Sequence, residues 1–277
     1  MKRKIHFLRV FRGGVPWILP VLVLGVWLLA SERSLLSTRI LPAPSSVLQS
    51  GIELVLSGEL FGHLAVSFRR AATGFAIGGS IGFLFGLVNG LIPISEKLFD
   101  TTIQMFRNIP HLALIPLVVL WFGIGEEAKV FLVAIGVLFP VYVNTFHGIR
   151  SVDQGLMEMG KVYGLRSWSL FWQVVLPGAL PSILVGVRYA LGVMWLTLIV
   201  AETIAADAGI GFMAMNAREF MQTDIVLLSI LLYALFGKLA DSSAKWLERS
   251  GPLSIDWTHR IEKITQSYRT YVRIEWV

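Results

Sequence analysis

The sequence predicts an all-α integral membrane protein with six transmembrane helices, and three observations carry that prediction. Hydrophobic residues make up 55% of the chain and charged residues only 15%, against the roughly 25% charged of a soluble domain. The apolar residues gather into six stretches near bilayer length, for which a core of roughly 30 Å asks about 20 residues at 1.5 Å each. With the N-terminus inside, lysine and arginine gather in the inner segments, above all the two terminal ones, and are few in the outer loops.

The first stretch, Val15 to Ala30, follows the basic opening MKRKIHFLRVFR. That opening also fits the n-region of a secretory signal. No A-x-A-like site precedes Ser31, Glu32 and Arg33, however, so an uncleaved span is expected. The segment from Ser31 to His63 contains LPAPSS, whose prolines break helix, and then VLQSGIELVLSGEL, which predicts a short interfacial helix. The second span runs from Ala71 to Ile92, just after Arg69 and Arg70. The third covers Ile109 to Ile124, extended backward toward Thr101, and the fourth Val130 to Ile149. The fifth, Leu180 to Ala201, is interrupted only by Arg188, and the sixth runs from Ile225 to about Leu239 with Lys238 near its end.

Orientation follows from the cations. With the N-terminus inside, the inner segments hold 16 Lys and Arg and the outer loops 4, which under the positive-inside rule puts both termini in the cytoplasm. The organisation expected is a cytoplasmic N-terminus (1–14), a transmembrane domain (15–247) with a cytoplasmic loop at 150–177, and a cytoplasmic tail (248–277).

Several functions find no support. With no cysteine the chain has neither disulfide nor thiolate metal site. The formal charge of +6 lies between apolar segments rather than along one soluble face, so it argues for membrane orientation and against nucleic acid. There is no phosphate-binding glycine loop and no HExxH, and the five histidines are scattered without metal-ligand spacing. No catalytic or metal residue is therefore assigned. The spans carry no Asp or Glu at their centres, Glu202 lying at the outer end of the fifth, whereas ion-coupled transporters often place acids there.

Two features inside the spans call for a role. Gly74, Gly78, Gly82, Gly86 and Gly90 recur every four residues in the second span, forming a stripe without side chains that lets another helix approach closely, within the subunit or across a dimer. Arg188 lies about 12 Å along a helix from Leu180. An arginine that deep turns toward the bundle interior, a watery cavity or a partner, so it is a candidate for a substrate pathway or for a structural ion pair. Arg69 and Arg70 are weaker pathway candidates, because anchoring at the interface explains them cheaply.

Between the fourth and fifth spans comes a polar interlude, EMGKVYGLRSWSLFWQVVLP, from Glu158 to Pro177. Asp153 or Ser151 is positioned to cap a short helix through about Val162, Gly164 to take a left-handed turn, Ser167 to cap a second short helix, and Pro177 to end it. Along the second helix Trp168, Phe171, Trp172 and Val175 predict an apolar face buried against the spans.

The spacing of Glu158, Met159, Gly160, Gly164, Val174, Leu176 and Pro177 resembles the EAA signature, E-A-A-x3-G-x9-I-x-L-P, of permease subunits in binding-protein-dependent ABC importers. Met159 and Gly160 replace the two alanines, and Val174 the isoleucine. The likeness extends through IQMFRNIPHLALIPLVVLWFGIGEEAK (Ile103 to Lys129), LFPVYVNTFHGIRSVDQGL (Leu138 to Leu156) and Leu176 to Asp224. These stretches are similar to the sulfonate, taurine and nitrate branch of such permeases, nearest to those for aliphatic sulfonates.

The resemblance implies a type I ABC importer permease fold in the inner membrane, working as a homodimer with the pathway between the copies. It implies two ATPase subunits, which bind ATP and Mg, docked on the 150–177 loop, and an extracytoplasmic sulfonate-binding protein outside. It implies no cofactor and no catalytic site in this chain.

Overall fold

The computed structural model describes residues 18–33, 37, 40–204 and 206–250, with backbone alone for 247–250. The expected cytoplasmic N-terminus and most of the tail fall outside the described residues. Among those described, the chain is helical throughout, with no strand. The helices are α1 (Ile18–Glu32), α2 (Pro44–Leu56), α3 (Glu59–Leu91) and α4 (Pro93–Arg107). A 3-10 turn (His111–Leu114) leads to α5 (Ile115–Phe122), α6 (Glu126–Arg150), α7 (Gln154–Val162) and α8 (Ser167–Leu170). A π turn (Phe171–Val175) then leads into α9 (Leu176–Ile204), α10 (Ile210–Glu219) and α11 (Thr223–Ser250).

Four segments are long and apolar enough to cross a membrane: α3, α6, the run Ser167–Ile204, and Thr223–Trp246 of α11. A fifth span is possible only if α4 and the helix pair His111–Phe122 are counted together, and these are bent by 80° at the break between them. The third predicted span is thus not one straight helix. Pro110 forbids the helical hydrogen bond that would carry α4 through, and the residue before a proline is pushed out of the α region. The first predicted span has α1 as its described part, 15 residues and below the length of a span by itself. Six full-length spans are therefore not counted among the described residues.

Two compact units are formed. The first takes the chain up to Phe68 together with Glu202–Ala234. Here α2 begins at Pro44, whose missing N–H costs nothing in a first helical turn, and buries Val47, Ser50 and Leu54. Ser50 donates to the Asp224 carboxylate, and Gly51 lies against Leu228, so α2 rests on α11.

The second unit takes Arg69–Ala201 and the chain from Leu235 on. Its centre is α6, of which Leu132, Val133, Val137, Val141 and Tyr142 are buried. The glycine stripe of α3 lies along it: a Cβ at Gly74 would meet Val133, at Gly78 the Ala134 carbonyl, at Gly82 the Leu138 carbonyl, at Gly86 Thr145 and at Gly90 Ile149. The stripe packs within the subunit. On another side of α6, Gly148 backs onto the Ala179 carbonyl and Gly186 of α9 onto Asn144. Close backbone approach is what holds helices together where lipid is as apolar as a side chain.

Candidate functional site

The 150–177 loop forms a knob of two short helices. Asp153 caps α7, its carboxylate accepting from the Gly155 and Leu156 N–H groups at 2.6 and 3.4 Å. The far end closes in a Schellman turn, in which Leu165 N–H donates to the Gly160 carbonyl at 3.0 Å and Gly164 N–H to that of Lys161 at 2.9 Å. Gly164 has φ 78°, a backbone that only glycine adopts without strain. Gly160 is buried, and a Cβ there would stand 2.6 Å from Leu170. The atom met is the end of the Leu170 side chain, so an alanine there requires that methyl to shift, and the close approach packs α7 against α8.

Two expectations about the second helix are corrected. Ser167 is not its cap: Arg166 occupies that position, and no side chain caps it. Pro177 does not end it either, because the chain runs on through the π turn into α9. The proline is tolerated there because it falls two residues beyond the π turn, in the first turn of α9.

A third expectation differs in part: Val175 is buried as expected, but Trp168 and Trp172 are 70% and 51% exposed, and Leu170 takes the inward position instead. The π turn adds a residue to the helical repeat, which carries Val175 onto the same side as Leu170, five positions earlier. Trp168 lies against Phe171 and Trp172 at ring separations of 6.2 and 5.6 Å. With Met159 and Val162, also exposed, these rings give the knob an apolar outer surface. Glu158 and Met159 are exposed on α7, and Leu176 is half-buried. Inward, Val175 joins Ile149, Val152, Ala179 and Ile183 in one buried cluster. That cluster ties the knob to the adjoining ends of α6 and α9.

The three candidate arginines all meet carboxylates. Arg188 Nε donates to Asp241 Oδ1 at 2.7 Å, and Lys245 Nζ to Asp241 Oδ2 at 2.7 Å, joining α9 to α11. Arg70 is buried and pairs with Glu126 at the start of α6, and Arg69 reaches the same carboxylate at 3.4 Å.

A site that sequence reasoning did not single out lies at the bend after α4. There Arg107 and His111 stand beside Phe139, Pro140 and Asn144 of α6 and Tyr189 of α9, around a cavity of about 330 Å³. His111 is fixed by a hydrogen bond between Nε2 and Thr197 Oγ1 at 2.9 Å. Asn144 is fixed by donating to the Pro140 carbonyl at 2.9 Å. The NIP sequence between Arg107 and His111 was the available signal, since a proline inside an apolar run marks backbone that must find partners elsewhere. Among the described residues, no group of His, Asp and Glu is arranged to hold a metal ion.

Residues 78–250 match the family model for the binding-protein-dependent transport system inner membrane component. The chain is 64% identical, over 84% of its length and 89% of the relative's, to the putative aliphatic sulfonates transport permease protein SsuC of Escherichia coli (strain K12). It is 44% identical to the protein of the same description from Bacillus subtilis (strain 168), over 84% of each chain. Among solved structures, one chain of an amino acid ABC transporter crystallised with histidines superposes with a TM-score of 0.55 at 19% identity, covering 72% of this chain and 97% of that one. At that identity the likeness establishes the fold. By the family match, the high identity to these relatives and the shared fold, this chain is a multi-pass inner-membrane ABC importer permease and belongs to the binding-protein-dependent transport system inner membrane component family.

Proposed function

We propose that the chain is the pathway subunit of an importer of aliphatic sulfonates, driven by ATP hydrolysis on separate subunits. The observation that carries this reading is the 64% identity, over 84% of the chain, to a relative whose name specifies aliphatic sulfonates. Two copies form the pathway between them, an extracytoplasmic binding protein delivers the substrate, and two ATPase subunits holding ATP and Mg sit on the cytoplasmic side. Both termini face the cytoplasm, a placement supported by the 16 to 4 distribution of cations. The chain itself makes and breaks no bond.

The knob is the part that receives the motor. Its exposed Met159, Val162, Trp168 and Trp172 offer the kind of rigid apolar surface that docks in a partner's groove. Its buried side grips α6 and α9 through Val175, Ile149 and Ala179, so displacement of the knob moves the ends of both helices. Such movement alternates access to the pathway. Arg188, with its charge met by Asp241, serves to hold α9 against α11.

The test is uptake in proteoliposomes holding this chain, its ATPase and its binding protein. ATP-dependent accumulation of labelled ethanesulfonate and butanesulfonate is expected, with taurine and nitrate poorer substrates. Uptake of taurine or nitrate without any sulfonate uptake would overturn the substrate assignment.

A further inference from the structure

The cavity at the bend after α4 sits at mid-depth of the spans. Gly136 and Asn144, which bound it on α6, lie about 15 and 27 Å along a helix of about 37 Å. Tyr189 and Val193, which bound it on α9, lie roughly 20 and 26 Å from the start of a helix about 43 Å long. Opposite them the chain is not helical, since α4 stops at Arg107 and the next turn begins at His111 after an 80° bend. Unwound backbone at membrane depth persists only where protein or a polar cavity satisfies it. A broken helix beside a cavity is how other transporters build substrate sites.

The lining has two chemistries. One part is apolar: Ile109, Phe139, Val143 and Val193. The other is polar and rich in donors: Arg107, His111, Asn144 and Tyr189. No carboxylate lines the cavity. Arg69, Arg70, Arg150 and Arg188 each meet a carboxylate, whereas Arg107 has no carboxylate partner among the described residues. A guanidinium presents N–H groups in a planar fork suited to oxyanions, and ligand sites combine an apolar lining with a few polar groups that fix orientation.

We infer that this cavity is a substrate site within the membrane for an amphiphilic monoanion, with the anionic head held at Arg107 and His111 and a short alkyl tail against Phe139 and Val143. The inference rests on the sulfonate reading and deepens it, because it makes the permease itself, and not only the external binding protein, select for chain length. His111 and Asn144, each held by a hydrogen bond of its own, present their remaining polar atoms without a reorganisation on binding. At about 330 Å³ the cavity is at the small end of ligand pockets, which fits a short chain and excludes a bulky one.

Two measurements test this on the assembled permease and ATPase in nanodiscs of zwitterionic lipid. The first is direct binding of labelled hexanesulfonate without the binding protein, where Arg107→Gln is expected to weaken binding at least tenfold and Arg107→Lys to restore part of it. The second is uptake in proteoliposomes with the binding protein present. There Phe139→Trp, which fills the cavity, is expected to lower hexanesulfonate uptake at least fivefold while ethanesulfonate uptake stays within twofold. Equal loss for every chain length would mark Phe139 as merely structural and overturn the site, as would unchanged binding in Arg107→Gln. The same chemistry is present in an anionic phospholipid, so binding is repeated in discs containing phosphatidylglycerol. Loss of hexanesulfonate binding there would assign the cavity to lipid and overturn the inference. Hexanesulfonate binding without any sulfonate uptake by the wild-type complex would remove the transport reading and leave the site. Uptake whose chain-length profile neither variant alters would remove the site and leave the transport reading.

Discussion

Glu202 is 1% exposed, and its carboxylate is surrounded by donors. Ser67 donates to it at 2.8 Å, Gly211 N–H at 3.0 Å and Tyr233 at 3.3 Å. Ser67 in turn accepts from Ile210 N–H at 2.9 Å, and Gly209, at φ 115°, donates to His63 Nδ1 at 3.1 Å. One carboxylate thus fixes the turn that opens α10. Glu202→Ala leaves those donors buried without an acceptor, which costs about 3 kcal/mol or more. The expected result is a complex that melts well below the wild type in detergent, with Glu202→Gln intermediate; an unchanged melting curve for Glu202→Ala would contradict it. In the knob, Gly164→Val forces a branched residue into a left-handed backbone at roughly 1 kcal/mol or more. No neighbour stands within 4 Å of a Cβ there, so the damage is to the turn and not to packing. Membrane insertion should persist while substrate-stimulated ATP hydrolysis falls, and normal coupled turnover in the purified variant would refute the role given to the turn.

At the scale of elements, the contact between α3 and α6 is set by absent side chains. A Cβ at Gly78 would run into the Ala134 backbone, which has no flexible end to yield. Gly78→Val should therefore push the helices apart and cost about 1–3 kcal/mol through overpacking. Gly62→Ala in the same helix meets nothing within 4 Å and should be neutral or stabilising by up to about 1 kcal/mol, because alanine favours helix. Thermal unfolding of the two variants separates packing from propensity, and equal behaviour would mean that the stripe is incidental. The α9–α11 contact depends on a charge pair. Arg188→Asp alone should reduce the yield of folded complex, and Arg188→Asp with Asp241→Arg should recover much of it. No recovery in the double variant would count against a pairwise structural role.

For the whole molecule, the surface is that of a protein made for lipid and partners. Leu19, Val21 and Leu22 of α1, Leu84 and Phe85 of α3, and Ile230 and Leu235 of α11 are all largely exposed, while Arg70, Asn89, Lys129 and Glu202 are buried. Water would reverse that arrangement; lipid does not, since the cost of a polar group in hydrocarbon is larger than any gain from hiding a leucine. The proposed orientation is testable because the chain lacks cysteine. In intact cells, Ser57→Cys should react with an impermeant thiol reagent from outside and Ser167→Cys should not. Outside labelling of the Ser167 variant would reverse the proposed topology.

Class and family were legible in the sequence because both depend on local quantities. Apolar length decides what can cross a bilayer, and the run from Glu158 to Pro177 carries its family spacing in twenty consecutive residues. The caps and turns of α7 were legible for the same reason, since Asp153 and Gly164 act on backbone within a few positions of themselves. What required the tertiary structure is everything that depends on which faces meet. The glycine stripe announced a close contact but not its partner, which is α6 and not a second copy. Arg188 announced a cost but not its payer, Asp241, 53 residues away. The expected face of Trp168, Phe171, Trp172 and Val175 does not form because the π turn at Phe171–Val175 breaks the regular helical spacing that would link Val175 to the tryptophans, and no periodicity in the sequence marks that turn. Arg107, counted along the sequence as an inner-loop cation, borders a cavity because the chain bends by 80° at Pro110. A proline records that a helix must break; only the packing of α6 and α9 around the break decides that it opens onto a cavity.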